Sequence, residues 1–260
     1  MGFQQIDISL NCVILKINLF VTVNHFRCLS GSSLKIIAIC AMTIDHFAAS
    51  VLYYGFILPA VPLVPHTTAW TLYQLYQGMR FIGRIAFPIF CFLLVEGFLH
   101  TSSRAKYAFR LFLFSLISEI PFDLALFHSF ADKGYQNVFF TLLIGFLVIW
   151  AMEKAEETSF SFPLSLLAFS LGCFSAYILN TDYDYKGVLL IAVLYLFRYN
   201  PSLRTLAGCI SLIWEPPACL AFFPIQMYNG KRGMSLKYFF YLFYPVHLLL
   251  FAAITFILCK

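Results

Sequence analysis

Nine apolar runs separated by short polar stretches occupy most of this 260-residue chain. They fall at 34–58, 79–99, 107–127, 138–152, 162–179, 187–197, 206–214, 218–227 and 238–259. One helical crossing of a bilayer needs roughly 20 apolar residues. The spacing therefore predicts an all-α, polytopic integral membrane helix bundle of about eight to ten transmembrane helices. The three runs between 187 and 227 are short for a full crossing. Either they extend into flanking residues, or two of them form a broken or re-entrant pair. Composition agrees. The chain is 61% hydrophobic and 11% charged, whereas soluble domains are nearer 45–50% and about 25%. A soluble enzyme and a single-anchor receptor are excluded.

Residues 1–30 behave differently. Asn11, Lys16, Asn18 and Asn24 interrupt their apolar pattern, no basic segment precedes it and no small-residue cleavage site closes it. This reads as a weak span or accessory segment rather than a signal peptide. The functional domain is then 31–260.

The formal net charge is +5, but no basic tract suggests nucleic acid. The charge follows topology instead. Alternate loops carry Arg27 and Lys35; Arg104, Lys106 and Arg110; Lys154; Arg198 and Arg204; and Lys231, Arg232 and Lys237. The opposite loops carry Lys133, Lys186 and Lys260. Basic residues accumulate on the cytoplasmic side of a membrane protein. The first set is therefore expected inside, in the inner or plasma membrane, and the Asp182/Asp184 loop outside. The eight cysteines are scattered, without CxxC or zinc spacing, and read as small hydrophobes. No metal is expected.

Ionisable groups inside spans are costly and mark functional sites. Here they are Asp45, His46, Arg84, Glu96, Glu119, Asp123 and His247. His46 lies about 16 Å along its helix from Lys35, at 1.5 Å per residue, and on the same helix face. His247 lies at a similar depth in the last span. Glu119 and Asp123 share a face at i, i+4, as do Arg80 and Arg84. These spacings permit one polar cluster. Arg84 pairing with Asp45 or Glu119 serves equally as a helix-packing device, and Lys35 equally as a topology anchor. Two histidines at matched depth, one beside an aspartate, favour chemistry. Histidine is suited to general-base work near neutral pH, and such a base can activate an amine or hydroxyl for attack on an acyl thioester. There is no GxSxG, GxxxxGK[ST] or GxGxxG motif.

The ordered blocks LKIIAICAMTIDHF (34–47), RFIGRIAFPIFCFLLVEGF (80–98), SEIPFD (118–123), NVFFTLLIG (137–145), YNGKRG (228–233) and YFFYLFYPVHLL (238–249) resemble the TraX family. The resemblance implies a polytopic membrane protein; the family's founding member N-acetylates the pilin subunit of a conjugative pilus. The family is distantly similar to the acyltransferase-three group of membrane acyltransferases. In that group a basic residue, ten intervening positions and a His mark the first core helix; Lys35 and His46 have that spacing, and His247 matches the Tyr-Pro-His end of the last helix. The resemblance implies acetyl-CoA as donor and leaves the acceptor open among pilin, envelope glycan and exported small molecule. The expected roles are His46 as base, Asp45 as orienting partner and His247 as second base. Arg84, Glu119 and Asp123 are expected to shape the cavity or hold acceptor. Lys35, Lys231 and Arg232 are expected to hold the nucleotide of the donor. The rival class is a proton-coupled transporter, which also places Asp, Glu and His at mid-membrane; no inverted repeat of the transporter kind is visible.

Overall fold

The computed structural model of the chain describes residues 27–60, 66–132, 134–234 and 237–259. The expectation for the N-terminal segment thus lies outside the described residues except at 27–30, as do 61–65, Lys133 and Lys260.

The chain is an all-α bundle, with two isolated β-bridges and no strand among the described residues. Helix α1 (Gly31–Phe47) starts at Ser30, whose hydroxyl accepts the Ser33 amide at 3.2 Å, satisfying one of the orphan donors of the first turn. It runs on without a break as a wide i→i+5 helix (Ala48–Ile57) and a terminal turn (Leu58–Ala60). Helix α2 (His66–Gly83) returns, pauses at Arg84–Ile85 and continues as α3 (Ala86–His100). Next come α4 (Arg104–Leu126), α5 (Val138–Glu156), α6 (Ser161–Ile178), α7 (Asp184–Leu196), α8 (Pro201–Ser211), a 3₁₀ segment (Pro216–Ala221), α9 (Phe222–Gln226) and α10 (Lys237–Leu258). Ser103, Asn137 and Asn200 cap α4, α5 and α8 through side-chain oxygens.

Among the described residues five stretches are long and apolar enough to cross a membrane: Gly31–Ile57, Thr68–His100, Val138–Glu156, Ser161–Ile178 and Phe239–Leu258. The chain is a multi-pass membrane protein on this count. Helices α4 and α7 pack between them, α4 on α5 and α10, α7 on α3, α5 and α6. The core is centred on α3 and α7, where Ile89, Cys91, Phe98, Leu190, Ile191 and Leu194 are fully buried. Without a hydrophobic drive between helices in lipid, close approach at small residues holds such bundles together. Gly145 lies against Ile191, and Gly172 against Val148, closely enough to leave no room for a Cβ. At the periphery α6 exposes Phe162, Leu166, Leu171 and Phe174, an apolar face suited to lipid.

The short runs near the C-terminus resolve as the second of the two alternatives. Helix α8 and the 3₁₀–α9 stretch form an antiparallel hairpin. Gln226 Nε2 donates to Thr205 Oγ1 at 3.0 Å near its open end, and Cys219 Sγ lies 3.7 Å from the Cys209 carbonyl further in. Gly208 lets the Phe222 ring sit directly on α8. The first arm begins and the second ends on the face that carries the basic loops. On one side Arg198 pairs with Glu156; on the other Tyr228 bridges to Leu29, ahead of α1. The tip, Leu212–Glu215, points into the bundle, where Leu212 is buried. Polar backbone at such a depth is tolerated only inside protein or beside water.

At the opposite face two connections fold inward instead of lying flat. Residues 127–137 and 179–183 join through Gln136 N to Asn180 O, 3.0 Å, and Asp182 N to Gln136 O, 2.8 Å. His128, Asn180, Tyr183 and Asp184 all have positive φ. For a side chain as large as tyrosine this conformation is strained. At Tyr183 the ring is held face to face on Phe87 at 3.6 Å. These inward loops line the cavity described next.

Candidate functional site

A cavity of about 420 Å³ opens between α1, α2, α3, the end of α4 and the two inward loops. Its deep walls carry Met42, Asp45, His46, Phe90 and Tyr244; its outer walls carry Tyr54, Phe127, Tyr135, Asp182 and Tyr183. A second cavity of about 330 Å³, lined by Arg84, Tyr135, Thr181, Asp182, Tyr183, Asp184, Lys186, Trp214 and Glu215, shares four of these residues and forms its vestibule.

His46 and His247 meet. His46 Nδ1 is 2.7 Å from His247 Nε2, with the rings stacked 5.0 Å apart. His247 Nδ1 is 2.7 Å from the Phe243 carbonyl. A carbonyl only accepts, so His247 donates from Nδ1. Neutral His247 then has a lone pair on Nε2 and accepts from His46 Nδ1–H. The remaining nitrogen of His46, Nε2, carries a free lone pair, and His46 lines the cavity. One carbonyl thus fixes two tautomers in series. The local cause lies in α10. Phe243 and His247 are four residues apart and share a helix face, which brings the imidazole to that carbonyl.

Asp45 takes another direction. Successive helix residues point about 100° apart, and Asp45 pairs with Arg80, not with His46. The place beside His46 expected for Asp45 is taken by His247. Gly83 on α2 leaves space for the Asp45 side chain directly against the backbone, and the guanidinium one turn away is that of Arg80. Arg84, expected to pair with Asp45 or Glu119, instead binds Glu215 at 2.7 Å. It sits where α2 breaks and faces the tip of the re-entrant hairpin. Arg84 lines both cavities.

Glu119 and Asp123 line neither. Glu119 accepts the Asn137 backbone amide at 3.2 Å and its side-chain amide, anchoring the start of α5. Asp123 accepts the Asp132 amide at 2.9 Å and so ties down the inward loop. Their shared face is real, but it meets the amides of Asn137 and Asp132 instead of the cavity. They shape the site only by placing its walls.

Lys35, Lys231 and Arg232 gather at the basic end. Gly31 N donates to Lys231 O at 2.8 Å, Ser32 N to Arg232 O at 3.0 Å, and Met234 N to Ser32 Oγ at 3.1 Å. Gly233, at φ 73°, packs on the Ser30 and Ser32 hydroxyls, where a Cβ has no room. Lys35, one turn further along α1, lies over the Phe240 ring at 5.0 Å. Between Lys35 and His46 the same face of α1 carries Ile39 and Met42, both buried.

Sequence reasoning missed Arg80, Asp182, Tyr183, Glu215 and Tyr244 as cavity residues. The i, i+4 arginines were a signal for Arg80. For Asp182 no local signal exists, since only the inward fold of its loop brings it to the site. Burial pushes the Asp182 carboxyl up to about 7; the nearby Asp45 charge adds to this, and Arg84 and Arg80 oppose it.

Residues 30–255 match the family model described as "TraX protein". A protein of Dichelobacter nodosus, "Probable fimbrial assembly protein FimC, serogroup H1", is 31% identical across 85% of this chain and 93% of its own length. No solved structure matches.

Proposed function

The chain belongs to the TraX family, and from that premise we propose that it is a membrane-bound acetyltransferase acting on a pilin or another surface molecule. Acetyl-CoA is the donor substrate, entering from the cytoplasm. The acceptor amine or hydroxyl reaches the cavity from the outer face. The observation that carries this reading is the chain of hydrogen bonds from the Phe243 carbonyl through His247 to His46, which leaves one imidazole nitrogen of His46 free in a cavity.

In this mechanism His46 Nε2 takes the acceptor proton as the acceptor attacks the thioester carbonyl. The tetrahedral intermediate collapses, the C–S bond breaks, and the departing thiolate takes the proton from His46. His247 shares the imidazolium charge and holds the ring in place. Correct placement of base and nucleophile lowers barriers through orientation and proton transfer together. At the basic end, Lys35, Lys231 and Arg232 suit the phosphates of the nucleotide, because cationic side chains bind phosphate through charge-assisted hydrogen bonds. The acetyl-bearing arm then has about 16 Å to cover along α1. The pilin assignment draws on the family and on the fimbrial name of the Dichelobacter relative.

The test is mass spectrometry of envelope proteins and glycans from wild-type cells, a deletion strain, and the deletion strain carrying His46→Gln. One class of molecule should lose about 42 Da, the mass of an acetyl group, in the deletion and in His46→Gln, where general-base loss costs about 10²–10⁴-fold. Identical spectra in wild-type and deletion cells would reject the reading.

A further inference from the structure

Attack on a thioester carbonyl builds negative charge on its oxygen, and acyl-transfer sites place hydrogen-bond donors there. Backbone amides are the usual source, but within α1 and α10, the helices that carry His46 and His247, they are taken up by the helix ladders. The nearby cations are committed as well, Arg80 to Asp45 and Arg84 to Glu215. Tyr54 donates to the Leu126 carbonyl at 3.1 Å.

Tyr244 is different. Its side chain is 4% exposed, it lines the cavity, and no acceptor takes its hydroxyl proton. The ring is fixed on three sides. It meets His46 edge to face at 5.8 Å, His247 at 5.7 Å and Phe139 at 5.2 Å. A buried hydroxyl that donates to nothing is costly, and such groups are uncommon enough to call for a reason.

We propose that Tyr244 is a further catalytic residue, donating its hydroxyl hydrogen bond to the oxyanion of the tetrahedral intermediate while His46 holds the acceptor proton. The proposal rests on the acetyl-transfer reading above. As the acceptor heteroatom bonds to the carbonyl carbon, the π electron pair moves onto oxygen and is met by Tyr244 O–H. When the carbonyl re-forms, the C–S pair leaves with sulfur, which takes the proton from His46. Tyr244 keeps its own proton throughout. No oxidant, metal or other reactant is required.

The experiment uses radiolabelled acetyl-CoA, the full-length protein in membrane vesicles and envelope extract from a deletion strain as acceptor. Wild type, His46→Gln and Tyr244→Phe are compared. Tyr244→Phe should lower kcat by about 10²–10³-fold, the loss typical of one oxyanion donor, with donor KM within a few-fold of wild type. Thermal stability should be equal or higher, because the variant removes a buried hydroxyl without an acceptor. That combination separates catalysis from packing, since a structural role would lower stability along with rate. Transfer by Tyr244→Phe within three-fold of wild type, with His46→Gln inactive, overturns the assignment and leaves the acetyltransferase reading intact. A wild-type protein that transfers no label removes both.

Discussion

At the residue scale the site turns on which neighbour each polar group finds. His46 and Asp45 are adjacent in sequence, yet their partners are His247 and Arg80. Matched depth was legible from counting residues along two helices. The partner choice was not, because it depends on the relative rotation of helices more than 200 residues apart in sequence. In the proposed mechanism this arrangement makes His247 a positioning residue. His247→Ala should lower kcat by about 10²-fold, the scale of a misplaced reacting group, and leave donor KM little changed. His46→Gln should be lower still. Equal activity of His247→Ala and wild type would show that His46 needs no support. Asp182 gives a separate prediction. Its folded-state carboxyl is raised to about 7, above the ordinary value near 3.9. Between those values the folded protein holds a proton that the unfolded chain has lost, so this group's contribution to stability falls as pH rises through that window. Asp182→Asn cannot lose that proton. Its melting temperature relative to wild type should rise between pH 5 and pH 8. A difference that stays constant over this range would show that Asp182 ionises freely.

At the scale of elements, most long helices could be read from the sequence to within a few residues, since apolar length alone specifies them; the exception is α2 (His66–Gly83), of which the run at 79–99 took in only the last five residues. The break after Gly83 and the re-entrant hairpin could not. Shortness of the runs at 206–214 and 218–227 signalled something unusual, but the pairing rests on long-range contacts such as Phe222 on Gly208. Two tests follow. Gly208→Val places branched carbon where the Phe222 ring lies, and should cost about 1–3 kcal/mol, as overpacking generally does; detergent melting measures it. The hairpin also fixes topology. In a protein cleared of native cysteines, Ser202→Cys and Met234→Cys should both resist an impermeant thiol reagent applied outside, while Ala131→Cys, exposed on an inward loop's rim, should react. Labelling of only one of the first two would mean that the hairpin crosses the membrane instead of returning.

At the scale of the molecule, the two ends of α1 have different chemistries: cations and a glycine-containing loop at one, a histidine-floored cavity toward the other. Lys35→Ala and Arg232→Ala should raise donor KM several-fold with little change in kcat, and Lys35→Arg should be milder. Unchanged donor KM in both alanine variants would remove the nucleotide from this end. Coenzyme A at about 100 times its Kd should stabilise the wild-type protein by about 2.7 kcal/mol through linkage, and a transporter for another solute should show no shift. The basic ends were legible because charge asymmetry survives any packing. What lies between that end and the cavity was not, since Ile39 and Met42 on the same face of α1 are buried and nothing in their identity sets them apart from ordinary core.

The inward loops also change the electrical thickness of the protein. A bilayer's hydrocarbon is about 30 Å thick, but water entering the cavity as far as His46 leaves about 16 Å of α1 as insulation. The membrane voltage then drops across roughly half the usual distance, and the local field nearly doubles. Each elementary charge driven through it exchanges about 2.3 kcal/mol per 100 mV. In the proposed reaction the acetyl group, being neutral, would cross that layer without feeling the voltage, whereas a free nucleotide would meet all of it.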